Sequence, residues 1–176
     1  MTVGIVGLGL IGGSFAKAYH ETGARVLAYN RSRDVLDFAM MSGAVDGELT
    51  EENISACDLV LITIYPEAAI EYFKRMAGHI GPKPIVLDCC GTKRAVCAEC
   101  FPVAAEHGVR FLCGHPMAGT HNSASNTRAR TCTTARRWSS CRRTETMWSC
   151  WSGRRRCWPR RALAGFPSPQ PRSTTG

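Results

Sequence analysis

The chain has 176 residues, of which 44% are hydrophobic, and this composition excludes fibrous and wholly disordered proteins. The formal charge of +8, from 22 lysines and arginines against 14 acidic residues, suggests at first a basic protein that binds nucleic acid. However, residues 1–122 carry 10 basic and 13 acidic side chains, net −3, whereas residues 123–176 carry 12 arginines and one acid, net +11.

The first 122 residues begin with two strands, each followed by a helix. A short apolar run at residues 3–6 predicts a buried strand, and residues 11–19 follow it with helical periodicity. A second strand is predicted at residues 25–29 and a second helix at residues 34–41. Residues 50–52, a threonine followed by two acidic residues, have the pattern of a helix start.

The alternation of strands and helices continues to residue 112. A strand at residues 59–64 precedes a helix that begins at Pro66, a residue suited to a first helical position. A strand at 85–87, a helix at 93–106 and a strand at 109–112 follow. Strands and helices at this spacing form parallel sheets covered on both faces. We therefore predict an α/β fold, a Rossmann-type doubly wound parallel sheet, for residues 1–122.

A glycine-rich turn separates the first strand from the first helix. The six residues from Gly7 to Gly12 fit the pattern G-x-G-x-x-G. Gly7 permits a tight turn, Gly9 lets the backbone approach a pyrophosphate, and Gly12 lets the helix pack on the strand. The helix start, with Leu10 and Ile11, offers N–H groups to the phosphates. The position of this motif predicts dinucleotide binding rather than a turn required only by packing.

The residues after the second strand bear on which dinucleotide is bound. An acidic residue there would accept hydrogen bonds from a ribose 2′-hydroxyl, but this chain has Asn30, Arg31, Ser32 and Arg33. Two guanidinium groups can pair with a 2′-phosphate, and no carboxylate repels it. We therefore predict NADP in preference to NAD, with Asn30, Arg31 and Ser32 at the cofactor. The arginines can also be solvated surface residues and Asn30 can serve a 2′-hydroxyl, so NAD stays open.

A histidine follows the last predicted strand. His115 is expected just beyond residues 109–112, at the carboxyl edge where open α/β sheets bind ligands. A neutral imidazole there can accept a proton from a substrate hydroxyl as hydride leaves the same carbon. A structural, hydrogen-bonded histidine fits the same position, so the chemistry alone leaves both roles open.

Three segments of the chain are typical of one enzyme family. They are residues 3–14, residues 87–93 (Leu-Asp-Cys-Cys-Gly-Thr-Lys) and, most specifically, residues 114–120 (Gly-His-Pro-Met-Ala-Gly-Thr). Together they resemble prephenate dehydrogenase of tyrosine biosynthesis, over residues 1 to about 122. The resemblance implies oxidative decarboxylation: hydride passes from the hydroxyl-bearing ring carbon to the nicotinamide, carbon dioxide leaves, and 4-hydroxyphenylpyruvate forms.

The same resemblance assigns roles to two residues. His115 matches the catalytic histidine that binds the substrate hydroxyl, and Thr120 matches a residue that lines the substrate pocket. Two positions depart from the family pattern, since Gly91 stands where many members have serine and His121 where an acidic residue often follows the threonine. We expect no hydroxyl or carboxylate contacts from these two. The substrate is prephenate or arogenate, and the alternative is another dehydrogenase of this fold that acts on a hydroxy acid.

The resemblance also implies a part of the enzyme that does not follow in this sequence. In the family a further strand and an all-helical domain supply an arginine for the substrate carboxylate and a homodimer interface. Residues 123–176 instead hold all four tryptophans and no Val, Ile, Tyr or Lys. We predict that this tail is disordered and non-native, that the sheet is incomplete without the helical domain, and that the chain has little or no activity.

The tail has the composition of GC-rich DNA translated in a shifted reading frame. The third base of each codon from Ala129 to Ser139 can be joined to the first two bases of the following codon. The shifted codons then permit the sequence Ala-Asp-Leu-Tyr-Asp-Gly-Ala-Pro-Met-Val. This resembles the family sequence after the histidine motif, so we hypothesise a frameshift near residue 123. The alternative is a genuine basic tail whose arginines and tryptophans bind single-stranded nucleic acid, a partner that we do not expect.

The cysteines and the hydropathy pattern bear on where in the cell the protein is located. Six of the ten cysteines lie in residues 1–122, and no secretory signal or membrane-length apolar run accompanies them. We expect a cytoplasmic protein without a membrane partner. Cys97 and Cys100 have the spacing of half a zinc site, but no second pair follows, so we predict structural thiols and no metal.

Overall fold

Apolar runs form the strands predicted from the sequence, and with two further strands they make a seven-stranded sheet. The computed structural model describes residues 1–116 and a short strand at residues 138–140. The strands are β1 (Thr2–Val6), β2 (Arg25–Tyr29), β3 (Gly47–Glu48), β4 (Leu59–Ile62), β5 (Ile85–Asp88), β6 (Arg110–Pro116) and β7 (Trp138–Ser140). The helices are α1 (Leu10–Glu21), α2 (Arg33–Met41), α3 (Pro66–Ile80) and α4 (Arg94–Glu106), with a 3₁₀ turn at Ile54–Ala56.

The strand order confirms the predicted doubly wound sheet. The order is β3-β2-β1-β4-β5-β6-β7, and the first six strands are parallel to one another. The chain moves outward from β1 to β3, crosses to β4 beside β1, and then moves outward in the other direction. Because the connections from β1 and β4 lead away from each other, a crevice opens between the carboxyl ends of these two strands.

An apolar layer covers each face of the sheet, which explains why its strands are continuous hydrophobic runs in the sequence. Helices α1 and α2 cover one face, with Phe15 and Leu36 in its core. Helices α3 and α4 cover the other face, where the rings of Phe73 and Phe111 lie 4.5 Å apart. All residues of β4 and β5 are buried, since both faces of these strands are covered.

The segment after β3 differs from its prediction. Residues 50–52 do not begin an α-helix, because the side chain of Asn53 holds a turn there instead. Its Oδ1 accepts from the backbone N–H of Thr50 at 2.9 Å, and its Nδ2 donates to the carbonyl of Glu48 at 2.9 Å. Strand β3 itself was not predicted, since its two residues have no apolar pattern and form a strand by pairing with β2.

Strand β6 is longer than predicted, which changes the place of His115. It continues to Pro116, so His115 lies within the strand rather than beyond it. The extension is paired with β7, which runs antiparallel and sets Ser139 opposite His115. The open edge of β6 offers backbone groups for such pairing. At Trp138–Ser140, therefore, the structure differs from the disordered tail that the sequence predicts.

Several predictions fall on residues outside those that the structure describes. They concern Thr120, the frameshift near residue 123 and the remaining arginines and tryptophans of the tail. Within the described residues, no helix has both the length and the apolar character needed to cross a bilayer.

Candidate active site at the carboxyl edge of the sheet

The glycine turn between β1 and α1 is shaped by close contacts at its first and third glycines. Gly7 has a φ of +93°, and a Cβ there would collide with the side chain of Ile64. A Cβ at Gly12 would collide with the carbonyl oxygen of Gly7 and press on Oγ1 of Thr63. Gly9 is exposed, and a Cβ there would have no neighbour within 4 Å among the described residues. The turn is therefore tightly packed at Gly7 and Gly12, whereas the space beside Gly9 is open among the described residues.

The start of α1 can receive an anion at this opening. Gly9 occupies the N-cap position and supplies no capping side chain, and the first turn of the helix has no acidic residue. The N–H groups of Leu10, Ile11 and Gly12 thus lie at the positive end of the helix dipole. An open glycine turn below uncapped N–H groups fits the pyrophosphate of a dinucleotide.

Asn30 joins the turn after β2 to the glycine turn. Its Oδ1 accepts from the N–H of Leu8 at 3.0 Å, and its Nδ2 donates to the carbonyl of Ser32 at 3.0 Å. The sequence predicted Asn30 as a cofactor residue from its position alone. Its side chain has a role that the sequence did not reveal, because it holds the two turns together.

The two arginines after β2 have different surroundings. Arg33 Nη1 lies 2.6 Å from Oε2 of Glu48, and its Nε lies 2.9 Å from Oδ1 of Asp37. The hydrogen bond to Glu48 and the charge of Asp37 raise the pKa of the Arg33 guanidinium. Arg31 is exposed and forms no ion pair with the described residues. Of the two guanidinium groups predicted at the ribose, only that of Arg31 therefore has no ion-pair partner within the described part of the chain.

His115 is held by the turn between β5 and α4. Its Nδ1 lies 3.1 Å from the carbonyl oxygen of Cys89. A carbonyl oxygen can only accept, so Nδ1 carries a proton, and in the neutral ring the lone pair is then on Nε2. A Cβ at Gly91 would lie 3.7 Å from Cε1 and 4.0 Å from Nε2, so the glycine leaves this side of the ring uncovered. The half-buried imidazole is thus an oriented proton acceptor.

A buried ion pair fixes the same turn. The carboxylate of Asp88 is fully buried, and its Oδ2 lies 2.5 Å from Nζ of Lys93, whose side chain is 14% exposed. Its Oδ1 accepts from the N–H of Cys90 at 2.9 Å. The pair therefore positions the carbonyl of Cys89, which in turn orients His115. The sequence contains a signal for it, an acid that ends an apolar strand with a lysine five residues later, but no role was predicted from that pattern.

The two groups of residues lie at the same edge of the sheet but apart from each other. The glycine turn follows β1 and His115 lies near the end of β6, with β4 and β5 between them. Neighbouring strands are about 4.8 Å apart, so about 14 Å separates the two positions. A ligand that reaches both must be elongated, as a dinucleotide with a substrate beyond it would be. Among residues 1–116, no three His, Cys, Asp or Glu side chains are placed to hold a metal ion.

The sequence is similar to known proteins over most of its length. The profile of the family described as "Prephenate dehydrogenase, nucleotide-binding domain" matches residues 15–132. The prephenate dehydrogenase of Lactococcus lactis subsp. cremoris (strain MG1363) is 28% identical over 125 residues. That alignment covers 68% of this chain and 34% of the relative, so the chain spans about a third of the relative's length.

Two solved structures share the fold. Synechocystis arogenate dehydrogenase superposes with a TM-score of 0.72 at 21% identity, over 87% of this chain and 55% of that one. The prephenate dehydrogenase of Aquifex aeolicus, solved with hydroxyphenyl propionate and NAD⁺, gives a TM-score of 0.66 at 23% identity. This superposition covers 89% of this chain and 55% of the Aquifex aeolicus chain. The present chain therefore spans about half the length of both solved structures.

Proposed function

Because the chain belongs to the prephenate dehydrogenase family by its nucleotide-binding domain, we propose that it holds the dinucleotide of an oxidoreductase that decarboxylates prephenate or arogenate. One observation carries this proposal. Nδ1 of His115 contacts the carbonyl oxygen of Cys89, which leaves Nε2 of the neutral ring as the proton acceptor at the same sheet edge as the open glycine turn. Family membership favours this function over a basic protein that binds nucleic acid.

The residues of the glycine turn are suited to the cofactor. The pyrophosphate of NAD⁺ or NADP⁺ would lie above Gly9, against the N–H groups of Leu10 and Ile11. Arg31 would lie at the adenosine ribose, where its charge favours the 2′-phosphate of NADP. The complex of the Aquifex aeolicus enzyme with NAD⁺ supports NAD as a second possible cofactor. When bound, the nicotinamide supplies the hydride acceptor.

His115 would handle the proton of the substrate hydroxyl. Nε2 accepts this proton as hydride leaves the carbon that bears the hydroxyl. The hydrogen bond from Nδ1 to the carbonyl of Cys89 keeps the ring in one orientation and stabilises the positive charge that the imidazole gains. After carbon dioxide leaves and the ring becomes aromatic, Nε2 can return the proton to the phenolic oxygen. Thr120 would line the substrate pocket, as the family resemblance implies.

The test uses calorimetry and NMR on the 176-residue chain. We expect NAD⁺ or NADP⁺ to bind in a calorimetric titration. We also expect the Cε1–H signal of His115, assigned with a His115→Asn variant, to move when prephenate or 4-hydroxyphenylpyruvate is added to the cofactor complex. His79 and His107 are internal controls, because they lie near the ends of α3 and α4, away from the carboxyl edge. The absence of dinucleotide binding would contradict the proposal, because the glycine turn that would hold the cofactor lies entirely within this chain.

We further propose that this chain alone converts prephenate slowly or not at all. It spans about half the length of its structural relatives, and the resemblance implies that a helical domain supplies the substrate-binding arginine and the homodimer contacts. Purified chain is therefore expected to form little NADH or NADPH in the presence of prephenate. Robust turnover would contradict this expectation and would leave the family membership unchanged.

Replacing Arg31 by alanine should weaken the binding of NADP⁺ by about 10-fold, equal to about 1.4 kcal/mol, and that of NAD⁺ by less than about 2-fold. The reason is that only NADP⁺ offers a 2′-phosphate to the guanidinium. Arg33→Ala is the matched control, since Arg33 is already paired with Asp37 and Glu48 and should change neither affinity. Calorimetric titration of both variants measures the four dissociation constants. An equal loss for NAD⁺ and NADP⁺ in Arg31→Ala would show that Arg31 does not read the phosphate.

The origin of the tail is a separate proposal, supported by the change in composition at residue 122 and by the shifted-frame translation. The family match itself continues past this point, to residue 132. Resequencing the gene across codons 118–145 tests the proposal, and we expect a frameshift near codon 123. An unbroken reading frame in clean sequence would contradict it.

A further inference from the structure

Two cysteine thiols meet where α4 packs against β6, the strand that carries His115. Sγ of Cys97, on α4, lies 3.1 Å from Sγ of Cys113, on β6. Cys97 is half-buried, and Cys113 is buried with 3% of its surface exposed. Cys113 and His115 are two residues apart on one strand, so their side chains leave the same face of the sheet.

Other thiols in the described residues are directed elsewhere. Three of the other four, Cys57, Cys89 and Cys90, donate to a backbone carbonyl oxygen rather than to another sulfur. The fourth, Cys100, is buried in the apolar core. The contact between Cys97 and Cys113 therefore differs in kind from the ordinary burial of a cysteine as a small apolar residue.

We propose that Cys97 and Cys113 are a reversible modification site, which closes to an intramolecular disulfide on reaction with a low-molecular-weight disulfide such as oxidised glutathione. In the first step the thiolate of Cys97 attacks the oxidant, breaks its S–S bond and releases one thiol. In the second step the thiolate of Cys113 attacks the Cys97 sulfur of the mixed disulfide and releases the other thiol. Two protein thiols are oxidised, one small disulfide is reduced, and the two protons pass to the released thiolates.

The difference in burial fixes the order of the two steps. Burial raises the pKa of the Cys113 thiol, and its contact with Cys97 raises it further, so Cys113 is a weak nucleophile toward an external reagent. Cys97 is more exposed and is the point of entry. Once Cys97 carries the mixed disulfide, the Cys113 sulfur is already in contact with it, and attack within the protein is favoured by proximity. The two sulfurs need to approach by only about 1 Å to reach the bond length of a disulfide.

The disulfide would act on the candidate active site through the backbone. It joins α4 directly to β6, the strand that carries His115. Helix α4 begins next to Lys93, whose ion pair with Asp88 fixes the turn that orients the same histidine. Oxidation therefore links two elements that both position the His115 ring. The modification rests on the distance between the thiols and does not depend on the proposed reaction.

Peptide mapping of the full chain tests the proposal. The reduced protein is incubated with oxidised glutathione, alkylated with iodoacetamide and digested with trypsin without reduction. Cleavage after Arg94, Arg110 and Arg128 places Cys97 and Cys113 in separate peptides, 95–110 and 111–128. We expect these two peptides to be joined after oxidation and separated again by dithiothreitol, and we expect the His115 ring signal to move and return with the same treatments.

A neighbouring cysteine provides the control for this map. Cys100 lies on the same helix and in the same tryptic peptide as Cys97, so Cys100→Ser should keep the link whereas Cys97→Ser should lose it. A link that persists in Cys97→Ser would overturn the assignment. So would a wild-type chain in which Cys97 carries glutathione while Cys113 remains fully alkylatable. The wild-type map gives a result even where a variant fails to fold.

Discussion

Replacing Lys93 by methionine should lower the free energy of unfolding by about 3 kcal/mol. Methionine keeps the apolar stem of lysine but not its ammonium group. The carboxyl group of Asp88, which is fully buried, would then have no cation beside it. A buried charge that loses its partner is more costly than the pair was favourable. Urea unfolding followed by circular dichroism measures the change as a lower midpoint at an unchanged slope.

The matched control is Lys74→Met on the surface of the same protein. Lys74 pairs with Glu99 at the same distance of 2.5 Å, but these side chains are 46% and 51% exposed. Solvent screens such a pair, so we expect a change within about 0.5 kcal/mol. Equal losses in the two variants would show that burial of Asp88 is not the cause.

Replacing Gly12 by alanine should lower the free energy of unfolding by about 3 kcal/mol and abolish dinucleotide binding. The added methyl group would collide with the carbonyl oxygen of Gly7, a backbone atom that cannot move unless the β1–α1 turn opens. Once this turn opens, the N–H groups at the start of α1 no longer converge on one anion. Urea unfolding and calorimetric titration with NAD⁺ and NADP⁺ measure the two effects.

Gly9→Ala is the control that separates binding from stability. Gly9 has a φ of −69°, which alanine adopts readily, and its added methyl group would meet no described atom within 4 Å. We expect the free energy of unfolding to stay within about 0.5 kcal/mol of the original value. The methyl group would nevertheless occupy the space above the turn, so both cofactors should bind at least about 10-fold more weakly. Normal binding by this variant would mean that the pyrophosphate lies elsewhere.

The sequence predicts the sheet well where the local pattern and the burial agree. Strands β4 and β5 are buried on both faces, and continuous apolar runs are typical of such strands. Strand β3 could not be predicted, because its two residues are extended only through pairing with β2. The same holds for the end of β6, whose extension to Pro116 is paired with residues from a distant part of the chain.

In the candidate site, too, the features that form local patterns could be predicted, whereas those that depend on tertiary contacts could not. The glycine turn and His115 could be found because each belongs to a short motif next to a strand. The pairing of Arg33 with Glu48 could not, since the two are 15 residues apart and meet only when β3 pairs with β2. The contact of Cys97 with Cys113 likewise depends on the packing of α4 against β6. The sequence thus predicts candidate ligand-binding groups, but not the contacts that hold these groups in place.

The side chain of Asn30 has a consequence for how cofactor choice can vary. It links the glycine turn to the turn after β2, because a single amide bonds to Leu8 on one side and to Ser32 on the other. We therefore expect a change at Asn30 to weaken the binding of NAD and NADP by a similar factor and not to select between them. We expect selection to depend on Arg31, which is exposed and forms no ion pair with the described residues. In the proposed cofactor site we therefore expect affinity and cofactor preference to depend separately on two adjacent residues, Asn30 and Arg31.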